Sequence, residues 1–312
     1  MYYIGIDFGG TNIAVGVVTE EGNIIASDST PTLAGRPYTE IVADMAMVSK
    51  RAVEKANLTM ADIKGIGIGS PGLIDSKNGV VLNSNKLKFK HAPIGQELSK
   101  LLGLPVHVEN DANAAAYGEY AINGKGTEDF VFVTLGTGVG GGIILNGKLY
   151  TGFNRFGGEI GHMVLVHNGI PCGCGHSGCW ENYAAVTALI NQTKEAIEKH
   201  PDSFMAKYAE ERGKVDGRTA FDAAKAGDEP ANTVVKQYLE YVAAGIVSVI
   251  NIFQPEKVLI GGGISKEGDY LLKPIQEYVR IHEYNREEPH TEIGLATLFN
   301  DAGIIGAAMM MK

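Results

Sequence analysis

Ile6-Asp7-Phe8-Gly9-Gly10-Thr11 stands near the start of the chain, between two runs of apolar and β-branched residues. These runs, Tyr2 to Phe8 and Ile13 to Thr19, have the composition of β-strands, and a third such run extends from Ile24 to Asp28. Glycine adopts backbone conformations that other residues avoid, so a glycine pair suits a tight connection. The segment therefore predicts a strand, a glycine-threonine turn and a β-hairpin within the first 28 residues.

The same pattern begins again at Phe130. Val133-Thr-Leu-Gly-Thr-Gly138 aligns position for position with residues 6–11, and Leu145-Asn-Gly-Lys-Leu149 supplies the Asn-Gly turn of a second hairpin. Such an internal duplication predicts two similar α/β lobes that face each other. The repeat puts the boundary near residue 114, with an N-terminal lobe over 1–114 and a C-terminal lobe over 115–299.

The remaining elements follow from hydrophobic periodicity and turn residues. In the first half we expect a helix over 38–56, a strand over 63–68, a loop that opens with Ser70-Pro-Gly72, a strand over 106–109 and a helix from Asp111. The second half is mainly helical, with a strand over 257–260 that runs into Gly261-Gly-Gly263 and a last helix over 301–311.

Composition narrows the class of protein. Among 312 residues the net charge is -9, which repels nucleic acid and anionic lipid. The longest apolar run, residues 243–253, is too short to span a bilayer and predicts a buried helix. The chain opens without a basic leader, and its few cysteines do not form a disulfide framework. We therefore expect a cytoplasmic protein without nucleic-acid or membrane partners.

Both glycine-threonine turns suit phosphate binding, because glycines let backbone N–H groups approach anionic oxygens. Thr11 adds a hydroxyl donor, and Asp7 can hold a magnesium ion through water. A third glycine run follows the strand at 257–260. Plain hairpin turns are the alternative, although two copies in register weaken it. The candidate phosphate-binding residues are Asp7, Gly9, Gly10, Thr11, Asn12, Gly136, Thr137, Gly138, Gly262 and Gly263.

All three cysteines of the chain lie within eight residues, and a histidine precedes them by ten positions. His162, Cys172, Cys174 and Cys179 together make the Cys₃His set of a closed, structural zinc site. The alternative is a group of idle or redox-active thiols. His162 taken alone would be an ordinary core histidine.

Asn110 and Asp111 stand where a predicted strand ends and a helix begins. Asparagine and aspartate cap helices well, so helix capping is the simplest interpretation of the pair. A second asparagine at position 113 makes a polar binding site the competing hypothesis.

Five motifs resemble the ROK family of bacterial sugar kinases and repressors. They are Asp7-Phe-Gly-Gly-Thr11, Glu109-Asn-Asp-Ala-Asn113, Leu135-Gly-Thr-Gly-Val-Gly-Gly-Gly142, Gly158-Glu-Ile-Gly-His162 and Cys172-Gly-Cys-Gly-x-x-Gly-Cys179-x-Glu181. The resemblance extends over essentially the whole chain. It implies an actin-like, ribonuclease H-like two-lobed fold, a hexose kinase that uses ATP and Mg²⁺, a structural Zn²⁺ and commonly a homodimer. It also implies that the helix within 300–312 packs back on the N-terminal lobe.

The resemblance assigns roles as well. The family's catalytic aspartate falls on Asp111, which would take the proton of the attacking sugar hydroxyl. The implied sugar-binding residues are Gly72, Asn110, Asp111, Glu159, His162 and Glu181. In this chain Asn85-Lys-Leu-Lys-Phe89 replaces the asparagine and tryptophan that many relatives have after Ser-Pro-Gly.

These expectations favour a glucokinase that phosphorylates the 6-hydroxyl. Kinases for fructose, N-acetylglucosamine or N-acetylmannosamine are the nearest alternatives, since they would share Asp111 and the zinc. A sugar-responsive repressor is a further alternative, but no basic stripe or leading DNA-binding segment supports it. A polymerising or chaperone-type ATPase of the same fold would leave the cysteine cluster without a purpose.

Overall fold

The first part of the chain forms eight strands, and the glycine-threonine turn lies between the first two. In the computed structural model, which describes Met1 to Lys312, they are β1 (Tyr2–Phe8), β2 (Asn12–Thr19), β3 (Ile24–Pro31), β4 (Ile63–Ser70), β5 (Leu73–Asp75), β6 (Val80–Ser84), β7 (Phe89–Ala92) and β8 (Val106–Asn110). Five of them form a sheet in the order β3-β2-β1-β4-β8. Strands β1, β2 and β3 are antiparallel, whereas β4 and β8 run parallel to β1.

Strands β5, β6 and β7 form a separate antiparallel sheet. The sequence predicts a loop that opens with Ser70-Pro-Gly72, whereas the structure folds much of the following segment into this small sheet. The strands contain only three to five residues each and include lysine, asparagine and serine, so their period-2 pattern is weak.

A second five-stranded sheet repeats the order of the first. Its strands are β9 (Phe130–Leu135), β10 (Val139–Leu145), β11 (Lys148–Leu149), β12 (Lys257–Gly261) and β13 (Glu292–Leu295), arranged β11-β10-β9-β12-β13. When the strands of each sheet are numbered one to five in chain order, both sheets have the spatial order 3-2-1-4-5. The internal duplication predicted from the two glycine-threonine turns is confirmed.

Ten α-helices accompany the sheets. They are α1 (Tyr38–Lys55), α2 (Ile94–Leu102), α3 (Asp111–Asn123), α4 (Glu181–Ala184), α5 (Val186–Lys199), α6 (Phe204–Arg212), α7 (Thr219–Lys225), α8 (Glu229–Phe253), α9 (Asp269–His282) and α10 (Ala302–Met309). The sequence did not predict α9 or β13.

The chain divides into two compact units. The first comprises Met1–Phe132, Gly142–Gly158 and Thr297–Lys312, and the second comprises Val133–Gly141 and Glu159–Ala296. The division into lobes over 1–114 and 115–299 stays a prediction.

Within the first unit, α10 packs against α3 and against strands β1 and β4. Its main chain approaches the sheet closely because the facing positions are glycines. A methyl group on Gly67 would lie 1.7 Å from the Ala307 carbonyl oxygen, and one on Gly5 would lie 1.9 Å from the Ile304 carbonyl oxygen. The segment before α10 is held by the buried Glu119, whose carboxylate accepts the Leu298 N–H at 2.9 Å. Glycines and one buried carboxylate thus seat the C-terminal helix.

Helix α8 is the one helix whose length and apolar composition would permit a membrane crossing. More than half of its most apolar window is buried, and the helix packs against α5, α7 and α9. The core helix of a water-soluble protein passes the same test, so this feature is weak evidence for a membrane span.

Replacing Gly67 by alanine tests the close packing of α10. The added methyl would overlap the Ala307 carbonyl, so we expect Gly67→Ala to lower the free energy of unfolding by about 3 kcal/mol or more. Gly294→Ala is the control, because its methyl would meet only the end of the Leu259 side chain, at 3.1 Å. That variant should change stability by less than about 1 kcal/mol. Urea unfolding of both variants gives the comparison, and equal stability would contradict the packing argument.

Candidate active site

The first glycine turn connects β1 to β2 and is held from the end of β3. The Gly9 N–H donates to the Asn12 carbonyl at 2.9 Å, which closes the turn. Thr32, fully buried, donates its hydroxyl to the Gly9 carbonyl at 2.7 Å and its N–H to the Thr11 carbonyl at 2.9 Å. The hairpin interpretation is therefore correct as geometry, and the turn is partly exposed, so phosphate binding stays a prediction.

Asp7 and Asp111 form the charged pair of the first unit. Asp7 is the second-last residue of β1, and Asp111 is the first residue of α3. Burial, together with the negative charge of Asp111, raises the pKa of Asp7 to about 6. A divalent cation near the two carboxylates would offset this repulsion, so the donor set suits Mg²⁺.

Asn110 caps helix α3, as the simplest interpretation expected. Its Oδ1 accepts the N–H groups of Ala112 and Asn113, at 2.9 and 3.2 Å. Its Nδ2 donates to the Gly72 carbonyl at 3.3 Å, so the structure brings these two candidate sugar-binding residues together. A methyl on Gly72 would lie 2.3 Å from the Asn83 carbonyl oxygen, and its φ is +119°, so this position requires glycine.

Glu109 is a supporting residue to which the sequence assigned no role. It is 4 % exposed and accepts three hydrogen bonds, from the Asn110 N–H, Ser76 Oγ and Asn113 Nδ2, at 2.9, 3.0 and 3.1 Å. An acidic residue next to Val108 near the end of a predicted strand was the available signal, since a charge that becomes buried there needs partners.

The second glycine turn, in the second unit, is held by the start of α5. The Val186 N–H donates to the Gly136 carbonyl, and Thr187 Oγ1 donates to the Thr137 carbonyl, both at 2.8 Å. Gly262, with φ of +93°, lies against this turn, because a methyl there would be 2.1 Å from the Leu135 carbonyl oxygen. The structure thus joins the second and third glycine runs at the ends of β9 and β12.

The cysteine cluster has the geometry of a metal site. The ligand atoms of His162, Cys172, Cys174 and Cys179 all lie within 4.8 Å of one another. Cys174 Sγ is 3.5 Å from Cys179 Sγ, and Cys172 Sγ is 3.7 Å from His162 Nδ1. These separations match the edges of a tetrahedron around zinc, with bonds of about 2.3 Å to sulfur and 2.0 Å to nitrogen.

The protonation of the cluster also fits a metal site. Burial, with hydrogen bonds that the Cys179 thiol donates to Cys174 and Cys172, raises the pKa of Cys179 to about 12, so a nearby cation is needed to make it a thiolate ligand. Three thiolates this close together repel one another unless a cation lies between them. The donor set therefore fits Zn²⁺ and makes idle thiols the weaker interpretation.

Glu181 connects the cysteine cluster to the second glycine turn. Its Oε2 accepts the Val139 N–H at 3.3 Å, and its Oε1 lies 3.5 Å from Cys172 Sγ and 3.8 Å from His162 Nδ1. A methyl on Gly138 would lie 2.3 Å from Glu181 Oε2, so glycine at that position permits the approach. Glu159 is exposed and begins the turn that leads to His162, whose N–H donates to its carbonyl at 3.1 Å.

Comparison with known proteins agrees with these motifs. The model of the ROK family matches residues 3–312. The glucokinase of Halalkalibacterium halodurans is 36% identical over 100% of this chain and 95% of its own length, and that of Thermotoga maritima is 37% identical over 99% and 96%. The chain belongs to the ROK family.

A solved structure supports the same conclusion for the fold. A ROK family glucokinase from Streptomyces griseus, in complex with glucose and AMPPNP, superimposes with a TM-score of 0.83 at 35% identity. The match covers 99% of both chains. The architecture is the actin-like, ribonuclease H-like α/β fold that the resemblance implied.

The cysteine cluster predicts a defined zinc content. The purified protein should contain about one zinc ion per chain, and Cys179→Ser should lose it, because three ligands cannot close the shell. His176→Ala is the matched control, since this exposed histidine lies in the same loop but outside the four ligands. Elemental analysis of the three proteins decides the matter. A zinc-free wild type would contradict the assignment, and so would a zinc-replete Cys179→Ser variant.

Because the pKa of Asp7 is raised, replacing its carboxylate by a neutral amide should stabilise the protein in a pH-dependent way. Because the pKa is raised from 3.8 to about 6, folding favours the protonated form, and this contribution is lost as the pH rises through 6. At pH 8 and without divalent cations, the free energy of unfolding of Asp7→Asn should therefore exceed that of wild type by roughly 2–3 kcal/mol. The variant should accordingly unfold at a higher urea concentration. The difference should shrink towards pH 4. Urea titrations in EDTA at several pH values test this, and a pH-independent difference would refute the cause.

Proposed function

We propose that the protein is an ATP-dependent hexose kinase that phosphorylates the 6-hydroxyl of glucose. The observation that carries the proposal is that Asp111 lies close enough to raise the pKa of Asp7, which precedes the first glycine turn by two residues. An exposed glycine turn for phosphate, a carboxylate pair for Mg²⁺ and a carboxylate at a helix start are the parts that phosphoryl transfer needs. Its similarity to two glucokinases over their full length supports glucose as the acceptor.

In this proposal Asp111 is the general base. Its Oδ1 accepts the N–H of Ala112 at 3.0 Å, which fixes the carboxylate at the first turn of α3. The carboxylate accepts the proton of the sugar hydroxyl while the hydroxyl oxygen attacks the γ-phosphorus of ATP. The transition state is loose, so the main requirement is orientation of the hydroxyl, which a fixed carboxylate provides.

The other residues bind and orient. Asp7 would hold Mg²⁺ through water, and a bound ion would supply positive charge to offset that of the transferring phosphate. The glycine turns at residues 9–11 and 136–138 would donate N–H groups to ATP, with Asn12 beside the first and Gly262 and Gly263 near the adenosine. The proposed sugar-binding residues are Gly72, Asn110, Glu159, His162 and Glu181.

The proposed Zn²⁺ site supports sugar binding without taking part in the reaction. His162 Nδ1 faces Cys172 and Glu181, so this nitrogen would bind the metal. Its Nε2 then stays available for a sugar hydroxyl, with the ring orientation fixed by the metal. A closed four-ligand shell leaves no position for an activated water.

A substrate panel tests the proposed function. With ATP and Mg²⁺, glucose should give the highest kcat/KM in a comparison with mannose, fructose, N-acetylglucosamine and N-acetylmannosamine, measured by coupled ADP release. A preference for either N-acetyl sugar or for fructose would reject the glucokinase assignment. Absence of turnover with every sugar would reject the kinase itself.

Substitution of Asp111 tests the mechanism in the same assay. Asp111→Asn keeps the size of the side chain and its bond to Ala112, so we expect an unchanged melting temperature and a loss of at least about 10²-fold in kcat. Asp62→Asn, which alters an exposed carboxylate hydrogen-bonded to Thr59, should keep full activity. Near-normal turnover of Asp111→Asn would remove Asp111 from the role of base.

A further inference from the structure

The turn between β6 and β7 is anchored next to the first glycine turn. Leu87 and Phe89 are buried, and the Phe89 ring packs against the ring of Phe8, with centroids 6.0 Å apart. Phe8 lies between Asp7 and Gly9 in the chain. Two buried side chains therefore fix the turn against the end of β1.

Lys86 is the residue of this turn that reaches the phosphate-binding backbone. A methyl group on Gly10 would lie 3.5 Å from Lys86 Cβ, which is ordinary van der Waals contact. From that point the side chain still has most of its flexible aliphatic stem before the ammonium group. The ammonium can therefore extend over the Gly9-Gly10-Thr11 backbone to an anion bound there.

The ammonium group of Lys86 is also free to meet such an anion. Lys86 is exposed, and no carboxylate lies within 4.0 Å of its Nζ. The neighbouring lysines of the segment differ, because Lys88 and Lys90 line a cavity of about 570 Å³ together with Tyr38. Of the side chains in the turn, only that of Lys86 would come within 4 Å of a methyl group on Gly10.

Apart from Lys86, the residues of the first unit that are proposed to bind or transfer the phosphate include no positively charged side chain. Asp7 and Asp111 are negative, and Thr11 is neutral. Phosphoryl transfer is accelerated by fixed cations near the equatorial oxygens of the transferring group, because negative charge is spread over them in the transition state. A mobile ammonium beside the glycine turn meets that need.

We propose that Lys86 is a catalytic residue whose ammonium contacts the γ-phosphoryl group during transfer; this inference rests on the proposed kinase function. The bond from the sugar oxygen to phosphorus forms while the bond from phosphorus to the β,γ-bridging oxygen breaks, and ADP leaves with that electron pair. The hydroxyl proton goes to Asp111. Lys86 stays protonated throughout and acts by charge alone.

Three variants test the role of Lys86 in turnover. Lys86→Met should reduce kcat/KM roughly 100-fold with an unchanged melting temperature, because the side chain is exposed. Lys86→Arg should recover a large part of the loss, since it restores the positive charge. Lys88→Met, an exposed lysine of the same turn, is the control and should stay within about 3-fold of wild type.

A binding measurement separates this contact from a general effect on the protein. Calorimetry should show that Lys86→Met weakens binding of AMPPNP, which has a γ-phosphate, and leaves binding of ADP unchanged. An equal loss for both nucleotides would overturn the proposal, as would a Lys88→Met variant as impaired as Lys86→Met. If wild type phosphorylates no sugar, the proposed function fails; if wild type is active and Lys86→Met equals it, only the role of Lys86 fails.

Discussion

The buried carboxylate of Glu109 makes the interactions on which the proposed active site of the first unit depends. It satisfies three donors from three places in the chain: the last backbone N–H of β8, the first turn of α3 and Ser76 after β5. Removing it would leave buried donors unpaired, at about 1–3 kcal/mol for each. Because the carboxylate holds the Asn110 N–H, it sets the point at which strand becomes helix, and so the direction of Asp111. No cation is needed beside the Glu109 carboxylate, since three hydrogen bonds take the place of its hydrating water.

Glu181 has the corresponding position in the second unit. One carboxylate oxygen accepts a backbone N–H beside the glycine turn, and the other faces Cys172 and His162. A change in the metal site would therefore move Glu181, and with it the backbone at Val139. The metal is thus proposed to stabilise a surface that binds both sugar and nucleotide, which explains why a structural ion would be retained beside chemistry in which it has no part.

Local patterns were sufficient to predict the hairpins, the duplication and the Cys₃His cluster, because short motifs and the spacing of a few residue types reveal each of them. Helix α9 was not predicted, because only one residue per turn is buried (Leu271, Ile275 and Val279) and Pro274 lies inside the helix. The small β5-β6-β7 sheet was not predicted either, because its strands are short and contain polar residues. The roles of Glu109 and Thr32 depend on partners 33 and 23 positions away, and such contacts leave no periodic signal.

The turn between β6 and β7 couples the two substrates of the proposed reaction. At its base, the Ser84 Cβ would lie 2.9 Å from a methyl on Gly72, whose carbonyl accepts a hydrogen bond from the proposed sugar-binding residue Asn110. Two residues later, the Lys86 Cβ would lie 3.5 Å from a methyl on Gly10, in the proposed phosphate-binding turn. Since Leu87 and Phe89 fix the whole turn in the core, a substitution that shifts it moves both contacts together. If the proposed roles of Gly72 and Lys86 hold, acceptor preference and phosphate contact are coupled through this turn, which is the segment where residues 85–89 replace the asparagine and tryptophan of many relatives.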